Sequence, residues 1–319
     1  MTPSIAVLSG GVGAARFLRG LIDAVDDPAA VTAVVNVGDD CELHGLAISP
    51  DLDTITYTLA GAIDPDRGWG LIDESWRAMA ALGRYESVRP AESDAGSTWF
   101  GLGDSDLATH LYRTARRREG ATLTVVTDEI RRAWNVPIGI VPATDDPWRT
   151  RIDTHEHGEI SFQDYFVRLR HDVAVRGVRV EGSASLGAGA RAALAAADII
   201  VVAPSNPLIS IGPILELPDV RSILADRRER VVAVSPIVGG AALKGPADRL
   251  MAELGHQSSV AGVASLYASI AAALVIDPID EEHTAAVAAH GVRAVVAPSV
   301  MSTPEIARSL AATTISAVA

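Results

Sequence analysis

The sequence predicts an α/β protein built on a Rossmann-like, mostly parallel sheet with helices on both faces, and three observations predict it. Short apolar runs rich in β-branched residues alternate with amphipathic helical stretches, as in parallel strands linked by helices. The first of these runs leads directly into a glycine-rich turn, SGGVGAAR (Ser9–Arg16), and then into a helical pattern. Acidic clusters stand where predicted strands end, at VVNVGDD (Val34–Asp40) and SPDLDT (Ser49–Thr54). In an open α/β sheet, strand ends are where ligands bind.

Taken in order, Ser4–Leu8 is the first expected strand, and Gly10, Gly11 and Gly13 form the turn. Ala14–Val25 is the first helix, with Phe17, Leu18, Leu21 and Ile22 on one face. Val31–Val37 is a second buried strand, and Leu52–Ala60 a helix capped by Asp51. From about 71 to 170 the rhythm changes. This stretch holds four of the five tryptophans, longer helical patterns and only brief strand candidates at Ile138–Val141 and Glu159–Phe162. It reads as a smaller, mainly helical insertion overhanging the sheet of a single domain spanning 1–319. Strands resume at Ile199–Ala203, Val231–Val234, Leu274–Ile276 and Val292–Ala297. Helices are expected near Ala190–Ala197, Pro218–Ala225, Ala247–Leu254 and Pro304–Ala317.

Composition sets limits. A chain of 319 residues with 48% hydrophobic and 21% charged side chains can bury a large core. The net charge of −13 repels nucleic acid. One cysteine, Cys41, allows neither an internal disulfide nor a cysteine metal cluster, and points to a reducing, cytoplasmic setting. The N-terminus lacks a basic region before its apolar stretch, so no signal peptide is expected. The apolar run Ile270–Ile276 is far too short to span a bilayer, so no membrane partner is expected. The basic run Arg113–Arg118 closes a predicted helix and reads as a solvated face near its C-terminal dipole.

The glycine turn lets backbone approach a phosphate, and the helix behind it offers free N–H groups. It is neither a full G-x-G-x-x-G, because Arg16 stands at the third glycine, nor a P-loop. Arg16 either reaches back to an anion or lies on the surface. Asp39 and Asp40, with Asp51 and Asp53 shortly after, supply the hard oxygen ligands that suit Mg²⁺. Asn36 is placed to orient a ligand or a carboxylate. Further candidates sit in predicted loops: Gly101 and Asp104 in FGLGDSDLATH, Ser205 and Asn206 in APSNP, and Ser235 in SPIVGG, with Lys244 as a counter-charge. His44 and His110 are possible acids or bases, although a lone histidine is more often a structural hydrogen-bonder. No G-x-S-x-G elbow, H-E-x-x-H or Cys/His ligand set is present, which removes serine-hydrolase and zinc chemistry.

Together, SGGVGAARFL, VVNVGDD, SPDLDT, DRGWG, LGDSDLATH, PATDD, ISFQDYFVR, APSNPLISIGPIL and VSPIVGGAALKGPADRLM run in order from Ser9 to Met251. In this the chain resembles the 2-phospho-L-lactate transferases of coenzyme F-420 biosynthesis, and most of all their actinobacterial, phosphoenolpyruvate transferase-like branch. The resemblance implies an Mg²⁺-assisted transferase. The acceptor would be 7,8-didemethyl-8-hydroxy-5-deazariboflavin, the donor a guanosine diphosphate linked to lactate or enolpyruvate, and GMP would leave. It implies a deazaflavin contact at Asp53 and at the Gly101 loop, where glycine permits only a backbone contact. Asp40, Asp51 and Asp53 would hold or surround the metal, with Asp51 and Asp53 also the catalytic candidates and Asp53 alternatively the base. Gly10, Gly11, Gly13, Arg16, Asn36, Asp104, Ser205, Asn206 and Ser235 complete the expected substrate-binding set. Trp69 is expected to fill core rather than to stack on the deazaflavin ring. The family also implies a homodimer. The opening turn and the Asp-Asp pair resemble, in addition, nucleotide-sugar-binding regulators of the gluconeogenesis-factor type, the alternative reading. A NAD-dependent oxidoreductase rests on the glycine turn alone.

Overall fold

The computed structural model describes residues 2–319. β1 (Ile5–Ser9) is buried throughout and turns directly into α1 (Val12–Ala24), which places Ala14, Phe17, Leu18 and Leu21 in the core. β2 (Val31–Val35) pairs with β1 in parallel, and a hairpin of β3 (Cys41–Leu43) and β4 (Leu46–Ile48) leads to α2 (Pro50–Leu59). Three helices follow, α3 (Arg77–Leu82), α4 (Asp106–Arg118) and α5 (Leu123–Ala133), before β5 (Gly139–Pro142). β6 (Trp148–Thr154), β7 (Gly158–Ser161) and β8 (Val175–Gly182) form a separate antiparallel sheet with β6 in the middle.

The chain then returns to the main sheet through α6 (Ala188–Ala196) and β9 (Ile199–Val202). After it come α7 (Gly212–Leu215), α8 (Val220–Asp226), β10 (Val231–Val234) and a small hairpin of β11 (Ile237–Val238) and β12 (Ala241–Ala242). The remainder is α9 (Ala247–Glu253), α10 (Val260–Tyr267), β13 (Ala273–Ile276), α11 (Thr284–Ala288), β14 (Arg293–Val296) and α12 (Pro304–Ser316).

The main sheet has seven strands, all parallel, in the order β5-β2-β1-β9-β10-β13-β14. Its inner strands are unbroken apolar runs because helices cover them, and one hydrophobic cluster runs through strands and helices together. The chain winds outward from β1 to β2 and β5, then returns to the other side of β1 as β9. The strand order therefore reverses between β1 and β9, and a crevice opens at their carboxyl ends, the usual ligand position in such sheets. Among the described residues no helix is long and apolar enough to cross a membrane.

The strands and helices given bounds from the sequence lie within a residue or two of those positions, whereas the sequence sets no bounds for the short hairpins, β6, β8, α3–α5, α7, α10 and α11. The stretch 71–170 differs. After α5 ends at Ala133 it turns mainly to strand, with β5 in the main sheet, β6 and β7 in the antiparallel one, and one π-helical turn at Asp164–Arg168. β6 alternates in burial along its length, but Thr150 and Thr154 take inward places beside Ile152, so hydropathy does not mark it as a strand. Asp51 is not a helix cap: Ser49 holds the cap position, Pro50 begins α2, and Asp51 lies inside its first turn.

Candidate active site at the sheet crossover

The glycine turn and the loop after β9 meet in the crevice. The Gly10 amide donates to Ser205 Oγ at 3.2 Å, and a Cβ on Gly13 would collide with the Pro204 carbonyl oxygen. The first turn of α1 carries no acidic residue and no side-chain cap, which leaves its N–H groups for an anion. A Cβ on Gly11 would stand 2.6 Å from Asp51 Oδ1. The phosphate-type turn therefore touches the acidic cluster, and the two form one site.

Four carboxylates, Asp39, Asp40, Asp51 and Asp53, are buried there. Asp39 and Asp40 follow β2, while Asp51 and Asp53 occupy the first turn of α2, where the helix dipole favours negative charge. Asn36 joins two of them, donating to Asp51 Oδ2 at 3.0 Å and Asp39 Oδ1 at 3.2 Å, while its own carbonyl accepts from the Gly38 amide. Ser49 Oγ does not cap α2 but donates to Asp40 Oδ2 at 2.8 Å. Burial pushes Asp40 up to about 7, against the opposing pull of Arg149, and Asp51 up to about 7, against the Asn36 hydrogen bond. Burial and then the neighbouring Asp51 charge raise Asp39 well above the usual carboxylate range. Asp40 Oδ1 and Asp53 Oδ2 are buried without a hydrogen-bond partner among the described residues. A cavity of about 90 Å³ borders this cluster, with Asp40, Ser49, Arg113 and Arg149 in its wall. Crowded carboxylates with unpartnered oxygens suit a hard divalent cation such as Mg²⁺.

Asp53 has different neighbours. Arg113, on α4 and only 2% exposed, pairs with Asp53 Oδ1 through Nη2. The other guanidinium nitrogen, Nη1, lies 3.2 Å from His110 Nδ1. His110 Nε2 is 3.2 Å from Asp106 Oδ2, and Asp106 Oδ1 accepts from Tyr57 Oη at 2.6 Å. Despite burial, the nearby His110 ring and the Tyr57 hydrogen bond hold Asp106 below the usual carboxylate range. Burial raises Asp53, with Arg113 and His110 opposing it. Asp53, Asp106 and His110 each bring one ligand-type atom within 4.8 Å of the others. The Arg113 guanidinium contacts two members of that trio, and a fixed cation beside them works against a metal ion at that spot.

Arg113 corrects the solvated reading of the basic run. Its first member is buried, while Arg117 and Arg118 are exposed. α4 carries its polar residues inward: His110, Arg113 and Thr114 are buried, while Leu111 and Tyr112 are 57% and 45% exposed. Asp106, His110 and Arg113, spaced i, i+4 and i+7, share one stripe. That reversal was the available signal, since a polar stripe alone reads as a solvent face.

The remaining predicted residues divide. Gly10, Gly11, Gly13 and Ser205 gather at the crossover, and Asn36, Asp40, Asp51 and Asp53 in the acidic cluster. Asn206 sits in the same loop as Ser205; its Oδ1 accepts from the Leu208 and Ile209 amides and its Nδ2 is buried without an acceptor. Arg16 is exposed on α1, close enough to Lys244 for its charge to help burial lower the lysine. Ser235 is buried and tied to Ile237 of its own loop in both directions, which makes it a turn former. Asp104 is likewise occupied: it accepts from Ser75 Oγ at 2.6 Å and from the Arg77 and Ala78 amides, and so caps α3. Glu74 returns the contact to the Ser105 and Asp106 amides at the start of α4. Gly101 lies against Trp69 and Trp76. Trp69 does not fill core; it is 46% exposed, with the Arg67 guanidinium 5.5 Å from its ring centroid and 4.9 Å from that of Trp76.

Residues 5–286 match the model of one family, described as 2-phospho-L-lactate transferase CofD. The chain belongs to that family. The chain is 39% identical over 315 residues to a phosphoenolpyruvate transferase of Kitasatospora aureofaciens, covering 97% of this chain and 96% of that one. It is 40% identical to the phosphoenolpyruvate transferase of Streptomyces coelicolor, over 93% of this chain and 92% of that one. It is 39% identical to that of Mycolicibacterium smegmatis, over 94% of each. Among solved structures, a UPF0052 family protein from Bacillus halodurans superposes with a TM-score of 0.62 over 98% of both chains. At 16% identity that likeness is one of fold.

Proposed function

We propose that the protein transfers a phosphoenolpyruvyl group, or its phospholactyl counterpart, from a guanosine-diphosphate-linked donor to 7,8-didemethyl-8-hydroxy-5-deazariboflavin in coenzyme F-420 biosynthesis. The contact between the Gly11 turn and Asp51 carries this reading, because it joins a phosphate cradle to a cation-seeking acidic cluster. Family membership and relatives named phosphoenolpyruvate transferases support the enolpyruvyl form. The terminal ribityl hydroxyl attacks the phosphorus bearing the three-carbon acid, the bond to the GMP oxygen breaks, and the hydroxyl proton passes to a carboxylate. Asp53, with its unpartnered Oδ2, is that carboxylate. Gly10, Gly11, Gly13 and the start of α1 hold the donor phosphates, with Ser205, Asn206, Arg16 and Lys244 on the same side. Trp69 and the Gly101 backbone line the deazaflavin side. Asp40 and Asp51, with Asp39 beside them, would hold Mg²⁺. The ion would neutralise the diphosphate and the charge gathering on the leaving oxygen.

Deazaflavin fluorescence titrations, with and without Mg²⁺ and GDP, combined with chromatographic detection of GMP from an enolpyruvyl donor, test the proposal. Deazaflavin binding with stoichiometric GMP release is expected. Failure to bind deazaflavin under every condition, with retention of a UDP-sugar instead, would move the assignment to a nucleotide-sugar-binding regulator.

A further inference from the structure

We propose that Arg113 is a positioning residue of the transfer reaction: it clamps Asp53 Oδ1 and so fixes the orientation of that carboxylate, and His110, Asp106 and Tyr57 hold the clamp from behind. The inference rests on the proposed function and adds a residue to it. A guanidinium donates hydrogen bonds and accepts none. At 3.2 Å from Arg113 Nη1, His110 Nδ1 must therefore be the acceptor, and the ring proton resides on Nε2, facing Asp106 Oδ2. Asp106 is itself held by the Tyr57 hydroxyl, and Tyr57 lies one helical turn after Asp53 on α2. The chain of contacts thus closes between α2 and α4 and begins and ends one turn apart on α2. Asp53 is left with one oxygen paired and the other buried without a hydrogen bond, 3.7 Å from His110 Nδ1.

The clamp can be read without turnover. In the wild-type enzyme labelled with ¹⁵N-histidine, the His110 signal, assigned by its loss in His110→Gln, should report the Nε2–H tautomer. The Nδ1–H tautomer would overturn the clamp. In kinetics, Arg113→Lys keeps the charge but not the fork, and should lower kcat by about 100-fold, as expected for a misaligned reacting group. Its donor KM and its Mn²⁺ affinity, followed by electron paramagnetic resonance, should stay within twofold of wild type. Added guanidinium should recover at least tenfold of the activity lost in Arg113→Ala, which a merely structural arginine would not allow. Should Arg113→Ala fail to fold by circular dichroism, Arg113→Lys decides alone. Wild-type kcat in Arg113→Lys, or loss of Mn²⁺ binding together with kcat, would overturn the proposal. A wild-type enzyme unable to transfer would remove the reaction and Arg113's part in it, while the tautomer still reports whether the clamp exists.

Discussion

Asp51 and Asp53 stand two residues apart in the first turn of α2 and are similarly buried, yet their charges are met differently. Asp51 faces the glycine turn and Asn36, with Asp39 and Asp40 nearby, and no buried guanidinium pairs with it. Asp53 faces α4 and is paired with Arg113. A fixed counter-ion belongs to the fold and is present at every stage of turnover. A counter-ion supplied from solution arrives with the substrate and neutralises phosphate charge as well. Within one helical turn, then, Asp53 has a counter-ion built into the fold and Asp51 has none. On the proposed function, removing Arg113 and withholding Mg²⁺ should therefore have unlike consequences. The first strands a buried charge inside the protein, a loss of about 3–5 kcal/mol for buried pairs in general; the second leaves the fold intact.

The comparison breaks most sharply at Asp53. Asp53→Asn should lower kcat by roughly 10²–10⁴-fold, the range for loss of a general base, while the far-ultraviolet spectrum and Mn²⁺ binding persist. Near-wild-type turnover would put Asp53 outside the chemistry. The next largest effect should be the response of stability to pH and cation. Asp40 and Asp51 are lifted to about 7 in the folded chain, whereas unfolded carboxylates titrate near ~4. The folded state therefore binds more protons in that window, and the metal-free protein should lose stability as pH rises from ~4 through about 7, then level off. Mg²⁺ competes with those protons, so its thermal stabilisation should be greater at pH 8 than at pH 6. An Mg²⁺ shift independent of pH would place the ion elsewhere. Asp40→Asn should flatten the pH response and weaken Mn²⁺ binding, whereas Asp106→Asn should leave Mn²⁺ binding alone.

A smaller effect is expected at the crossover. Gly13→Ala drives a Cβ into the Pro204 carbonyl and should raise donor KM by roughly tenfold, the scale of one lost contact of about 1.4 kcal/mol. Acceptor KM should move less. Smallest of all, Asp104→Asn should lower Tm slightly through its role as the α3 cap and leave both KM values unchanged. A specific rise in either KM would return Asp104 to the substrate-binding set.

The repeat of apolar runs and helical stretches determined the main sheet, because strands buried on both faces must be continuously apolar and cannot be confused with a solvent face. The glycine turn and the four aspartates stood out equally in the sequence, and the structure brings them side by side in the crevice. Three features did not stand out. β6 was hidden because threonines occupy inward positions, and the local roles of Asp104 at the start of α3 and of Ser235 in its turn were hidden because a cap and a turn use the same side chains as a ligand site. Arg113 looked solvated because its partner lies 60 residues earlier in the chain, on another helix. The sequence by itself marked the glycine turn after the first strand and the acidic pairs after β2 and at the start of α2. Only the tertiary structure decided which aspartate received the buried guanidinium, because charge pairing inside a protein depends on distances between helices, and these are set by how the whole chain packs.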